Sequence, residues 1–179
     1  MKGTPGEPCP KCGRLLEDPP LCYGAEAPWR IFGVSESEFS QRVDLTPDQC
    51  VVDERYFFIR GHIALPIIGR SESFEWSVWC SLSQRSFLHA SERWLVPDRV
   101  NDPPYFGWLM SALPSYPDTL HLKASVQSRA VGTVPSVTLE PSDHPLAQDQ
   151  AAGITMQRVR EFAHEILHAH GGGQIEVCQ

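Results

Sequence analysis

The chain has no apolar run approaching the roughly 18 residues that a membrane-spanning helix needs, and its lysines and arginines form no cluster. The first absence argues against a membrane protein. The second argues against nucleic acid, because phosphate binding requires grouped basic side chains. Fifteen basic residues lie scattered among twenty-two acidic ones, for a net charge of −7; that balance suits solubility or a basic protein partner. The opening residues, Met-Lys-Gly-Thr-Pro-Gly-Glu, lack the apolar stretch of a secretory signal. A cytoplasmic protein is expected, in which thiols stay reduced. The six cysteines then read as ligands or buried thiols, not as a disulfide framework. G-x-S-x-G, P-loop and G-x-G-x-x-G motifs are missing too. That removes the hydrolase elbow, the phosphate cradle and the dinucleotide fingerprint.

What is present is ordinary globular composition, 41% apolar and 21% charged over 179 residues, enough for one core but not two full-sized domains. Sixteen prolines sit mostly between apolar runs and point to many loops and short elements. Residues 35–43 fit a short helix, with Ser35 as N-cap and Glu38 closing a capping box. Around a tight Asp53-Glu54 turn the texture is β, from Cys50 to Asp53 and from Arg55 onward to Ile68. Phe74 to Leu82 forms a second strand with Trp76, Val78, Cys80 and Leu82 on one face. Ser83 can cap a helix ending near Leu95. Tyr105 to Met110 is apolar on all sides and reads as a buried helical turn. Thr119 to Gln127 alternates cleanly, with Val134 to Glu140 as its partner. A last helix spans Thr155 to His170, with Val159, Phe162, Ala163, Ile166 and Leu167 as its apolar stripe. The expected fold class is α+β: a mostly antiparallel sheet, a few helices, and a zinc-tied N-terminal arm over residues 1–25. A single α+β domain would follow over 26–179, with 171–179 a loose C-terminal tail.

Cys9-Pro10-Lys11-Cys12-Gly13 is the most specific local signal. Two thiolates two residues apart can face one tetrahedral ion, and Gly13 supplies the positive φ that such a turn favours. Structural zinc wants four ligands. The expected set is Cys9, Cys12, Cys50 and Cys22, with His62 as the alternative fourth ligand. His62 is hard to combine with Cys50, since pairing across Asp53-Glu54 would leave them on the order of 16 Å apart at ~3.3 Å per strand residue. Cys80 reads as a core thiol. The expected cofactor is a structural Zn2+ that replaces the hydrophobic core the arm lacks.

His164-Glu165-Ile166-Leu167-His168 matches the H-E-x-x-H helix of zinc proteases. A helical wheel, however, turns both histidines away from the apolar stripe and hence toward solvent, and few residues remain to supply a third ligand. Asp143-His144 reads as a local turn contact. Trp76, Trp79, Tyr105, Phe106 and Trp108 read as core; a patch around residues 103–108 is the minority alternative.

Five separated segments carry a further indication. They are Cys9-x-x-Cys12-Gly13, Tyr56-Phe-Phe-Ile-Arg-Gly61 followed by Leu65-Pro66, Pro103-Pro-Tyr-Phe-Gly-Trp108, Leu113-Pro-x-Tyr-Pro-Asp-Thr-Leu120 and Glu140-Pro-x-Asp-His-Pro-Leu146. In this order, across nearly the whole chain, the sequence resembles the uncharacterised bacterial family DUF2199. The resemblance implies a bacterial source, a single domain and a metal-compatible N-terminal Cys pair. It also implies a cysteine near Cys50 rather than at Cys22, which keeps His62 open, and it does not imply the His-Glu-x-x-His run. The leading functional expectation is a non-enzymatic, zinc-stabilised module that binds another protein, immunity- or adaptor-like. An enzyme with a pocket near residues 103–108 and His144 or His62 as acid–base group comes second. A metalloprotease built on His164, Glu165 and His168 comes third.

Overall fold

Two long strands organise the chain. In the computed structural model, which describes residues 8–9, 11–169 and 175–178, β4 (Tyr56–Pro66) and β5 (Ser73–Leu82) pair antiparallel from Phe57↔Leu82 to Pro66↔Ser73. Asp53 and Glu54, both at φ 51°, make the tight turn between β3 (Gln49–Val52) and β4. The sheet continues through β6 (Tyr105–Leu109), β7 (Lys123–Gln127) and β8 (Ser136–Leu139), each antiparallel to the one before. A five-strand meander returns its last strand in the direction of its first. The closing contact of β8 with β4, at His62↔Ser136, is therefore parallel, and the ring becomes a small barrel.

Each long strand has more edge than one partner can cover. The outer edge of β4 takes β3 at Tyr56 to Ile59 and β8 at His62. That of β5 takes β1 (Cys22–Ala25) at Glu75 to Ser77 and β6 at Cys80 and Ser81. β2 (Val43–Leu45) flanks β3, and β9 (Ile175–Val177) flanks β1. The fold is α+β with a mostly antiparallel sheet, as expected.

Among the described residues four short α-helices complete it: α1 (Phe39–Arg42), α2 (Gln84–Glu92), α3 (Pro145–Ala152) and α4 (Met156–His168). Ser83 caps α2 through Ser86 N–H, and Thr155 caps α4 through Arg158 N–H. Inward residues Ile63, Leu65, Phe74, Trp76 and Val78 are fully buried. Phe162 of α4 packs on them, with ring centroids 5.2 Å from Phe74 and 5.3 Å from Trp76. A second cluster of Trp29, Cys50, Val52, Phe58 and Trp79 fills the outer face behind β3.

Several local expectations need correction. The Glu38 carboxylate does reach back to Ser35 N–H at 3.0 Å, yet only one helical turn follows, because Val43 enters β2. Tyr105 to Leu109 is a strand: Tyr105, Gly107 and Leu109 point inward and Phe106 and Trp108 outward. The arm ends in β1, a member of the sheet, and the C-terminal segment contributes β9. Residues 1–7, 10, 170–174 and 179 lie outside the described residues.

Arg99 is 2% exposed. Its guanidinium donates to the carbonyls of Trp94 (2.8 Å), Arg129 (2.7 Å), Ala130 (3.0 Å) and Thr133 (2.9 Å), tying the β7–β8 loop to the segment after α2. A lysine cannot fan out to four carbonyls. Arg99→Lys is expected to lose about 3 kcal/mol in urea unfolding, through buried acceptors left unpaired.

Candidate metal centre

The Cys9 knuckle closes as its glycine predicts. Gly13, at φ 67°, donates its N–H to the Cys9 carbonyl at 2.8 Å, and the Cys9 N–H donates to the Arg14 carbonyl at 2.9 Å. The arm then runs along α4, where Arg160 Nε donates to the Leu16 carbonyl at 3.2 Å. On α4, His164 and His168 lie one turn apart with ring planes 9° from parallel. The helical wheel places Val159, Phe162 and Ala163 correctly on the buried side, but Leu167, expected in the same stripe, is 57% exposed. The opposite side, however, faces the arm instead of solvent.

One consequence is a four-residue cluster. Donor atoms of Cys9, Cys12, His164 and His168 all lie within 4.8 Å of one another, and Cys9 Sγ is 3.5 Å from His168 Nε2. Tetrahedral zinc, with bonds of about 2.0–2.3 Å, would set its ligand atoms roughly 3.3–3.8 Å apart. The fit has an independent mark: both ring nitrogens of His164 are buried and have no hydrogen-bond partner among the described residues. A buried imidazole without partners is what an ion resolves. Burial pushes the Cys9 thiol up, but the backbone N–H groups of Lys11 and Cys12, the Cys12 side chain and the Lys11 charge together bring it below its ordinary value.

The residues expected to complete the site lie elsewhere. Cys50 is fully buried in the second cluster, and burial, with Asp44 adding to it, pushes its thiol up to about 12. It is a neutral thiol at physiological pH. Cys22 is bonded to Cys178, which also corrects the expectation of reduced cysteines throughout. His62 belongs with that pair, within 4.8 Å of both sulfurs, and its Nδ1 is 2.8 Å from Glu75 Oε2. Cys80 is a core thiol, as expected, pushed to about 12 by burial.

The family profile described as "uncharacterized protein conserved in bacteria (DUF2199)" matches residues 8–154. The chain belongs to this family. The DUF2199 match takes in Cys9 and Cys12 but ends before α4, so the two histidines lie beyond it. No curated protein and no solved structure matches the chain.

Other candidate groups of this DUF2199 chain are tied up structurally. His144 caps α3, its Nδ1 accepting from Leu146 N–H at 3.2 Å while its Nε2 meets the Asp118 carbonyl at 3.2 Å. Both ring nitrogens are committed, so the acid–base role is not available to it. Glu165, the would-be protease base, accepts from Ser115 Oγ. Near residues 103–108 the concave surface holds Tyr105, whose hydroxyl is 2.8 Å from His89 Nδ1.

The sequence contains the signal for this cluster. C-x-x-C and H-x-x-x-H are the two halves of a Cys2His2 site, written at opposite ends of the chain. Cys50→Ser is expected to leave the metal content unchanged while lowering stability by about 1–3 kcal/mol, because a hydroxyl enters an apolar cluster. Metal analysis beside thermal melting checks both.

Proposed function

We propose that Cys9, Cys12, His164 and His168 bind one structural zinc ion, and that the chain is a zinc-stapled cytoplasmic module acting on another protein. The observation that carries the metal assignment is the convergence of four soft and borderline donors from segments 159 positions apart. Two thiolates and two imidazoles select zinc over calcium or magnesium. Four protein ligands leave no position for water, so the ion holds structure and performs no hydrolysis. The protein-binding part draws support from Phe106 and Trp108, 51% and 39% exposed on the wet face of β6, with rings edge-to-face at 5.3 Å. Exposed aromatic pairs of this kind make good interface anchors, and the net charge of −7 favours a basic partner.

Mass spectrometry of the purified chain tests the assignment. One zinc per chain is expected, lost in both Cys9→Ser and His168→Ala; zinc retained in His168→Ala would sink it. A second reading, an enzyme, draws on a different observation: His62 stands against the Glu75 carboxylate beside a cavity of about 590 Å³.

A further inference from the structure

The register of three strands puts unusual chemistry on one outer face of the barrel. Cys22 of β1 is opposite Glu75 of β5, and Gly24 is opposite Ser77. His62 of β4 is opposite Ser77 from the other side. Alternation then gives Cys22, Glu75 and His62 the same face. Gly24 stands between them in the ladder; a Cβ there would come within 3.2 Å of Arg60 Nη2. Just past β9, Cys178 N–H donates to the Cys22 carbonyl at 3.1 Å, and the two sulfurs are bonded. The cavity of about 590 Å³ reaches this point, with Arg60, His62, Ser77 and Cys178 among its walls.

We propose that Cys22–Cys178 is a thiol–disulfide exchange site for a small thiol entering by this cavity, with His62 as its proton carrier and Glu75 as the residue that orients His62. A disulfide that served only as a staple would need neither an imidazole at its sulfurs nor a carboxylate behind that imidazole. A carboxylate is an acceptor, so His62 Nδ1 carries the proton shared with Glu75, and Nε2 is left to take and give one. This is the base-and-orienter arrangement of nucleophilic sites.

The exchange balances with a low-molecular-weight thiol as reductant. His62 takes the proton of the incoming thiol, and the resulting thiolate attacks the Sγ of Cys178, the cysteine of the pair that lines the cavity. A new S–S bond forms to Cys178 as the Cys22–Cys178 bond breaks. The electron pair departs on Cys22 Sγ, which receives the proton from His62. A second thiol, deprotonated in the same way, attacks the mixed disulfide at the small-molecule sulfur. The bond to Cys178 breaks, and that sulfur takes the second proton. Two thiols are oxidised to one small-molecule disulfide, and two electrons and two protons end on Cys22 and Cys178.

The test counts thiols by alkylation under denaturing conditions, read by mass. The protein prepared without reductant should show four thiols, from Cys9, Cys12, Cys50 and Cys80. Millimolar reduced glutathione at neutral pH should raise the count by two. In His62→Ala the rate should fall roughly tenfold to a hundredfold, the usual share of one acid–base group, with Glu75→Gln slowed less. His62→Gln, closer in size, should match His62→Ala, which separates lost proton transfer from a disturbed strand. Oxidised glutathione should form its adduct on Cys178 in Cys22→Ser faster than on Cys22 in Cys178→Ser. A disulfide that resists glutathione, rates independent of His62, or preferential adduct formation at Cys22 would each overturn the proposal.

Discussion

Alanine at His168 or His164 is expected to release the metal as fully as serine at Cys9, even though the histidines lie outside the family match and the cysteines inside it. Structural zinc sites of this kind supply about 10–16 kcal/mol of apparent binding energy. Shared over four ligands, each is worth on the order of 3 kcal/mol, roughly a hundredfold in affinity. Competition with a chromogenic chelator reads that loss directly. The structural effect should be local. The arm meets α4 through the four-residue cluster and the Arg160–Leu16 contact, whereas the core side of α4 holds Val159, Phe162 and Ala163 whatever the metal does. Chelation should therefore free the arm for protease cleavage between residues 11 and 21 while the barrel resists. Zinc that survives His168→Ala but is lost in Cys50→Ser would restore the ligand set first expected from the sequence.

The parts of this fold that were legible in the sequence are those where pattern and position agree locally. β3, β4 and β5 follow from alternation and a turn whose two residues sit at φ 51°, α2 follows from Ser83 as its cap, and α4 follows from the helical spacing of Val159, Phe162 and Ala163. β6 was hidden because Phe106 and Trp108 occupy its exposed face. With apolar residues on both sides, no period of two survives to be read. β1 and β9 are too short to announce themselves; they exist as strands because β5 has an edge that β6 does not cover. The Cys–His cluster escaped the sequence for a different reason. The wheel for α4 turns Val159, Phe162 and Ala163 to the core correctly and misplaces Leu167; solvent on the far side is an assumption, and the arm removes it. Likewise the Cys22–Cys178 pair spans 156 positions, and only the β1–β9 pairing brings its two halves together.

Gly61→Ala is expected to cost about 2–4 kcal/mol, an effect out of proportion to one methyl group. The barrel closes where β8 meets β4, at the single register pair His62↔Ser136. A Cβ on Gly61 would stand 2.5 Å from Val137 Cγ2 and 3.1 Å from the Pro135 carbonyl. That carbonyl accepts the His62 N–H at 2.9 Å, the bond that holds the seam. Overpacking of this kind costs about 1–3 kcal/mol, and pushing β8 away strains the hydrogen bond for about 1 kcal/mol more. The melting temperature should fall by about 10 °C for a chain of this size. Gly132→Ala is the control: its φ of +83° is a conformation that L side chains avoid, yet no atom lies within 4 Å of the added carbon, so about 1–2 kcal/mol of backbone strain is the whole expected cost. Valine at position 61 should prevent closure altogether, whereas valine at 132 should still fold. If Gly61→Ala instead costs no more than Gly132→Ala, then β8 does not press against β4 in solution, and the sheet is an open one whose two ends lie side by side.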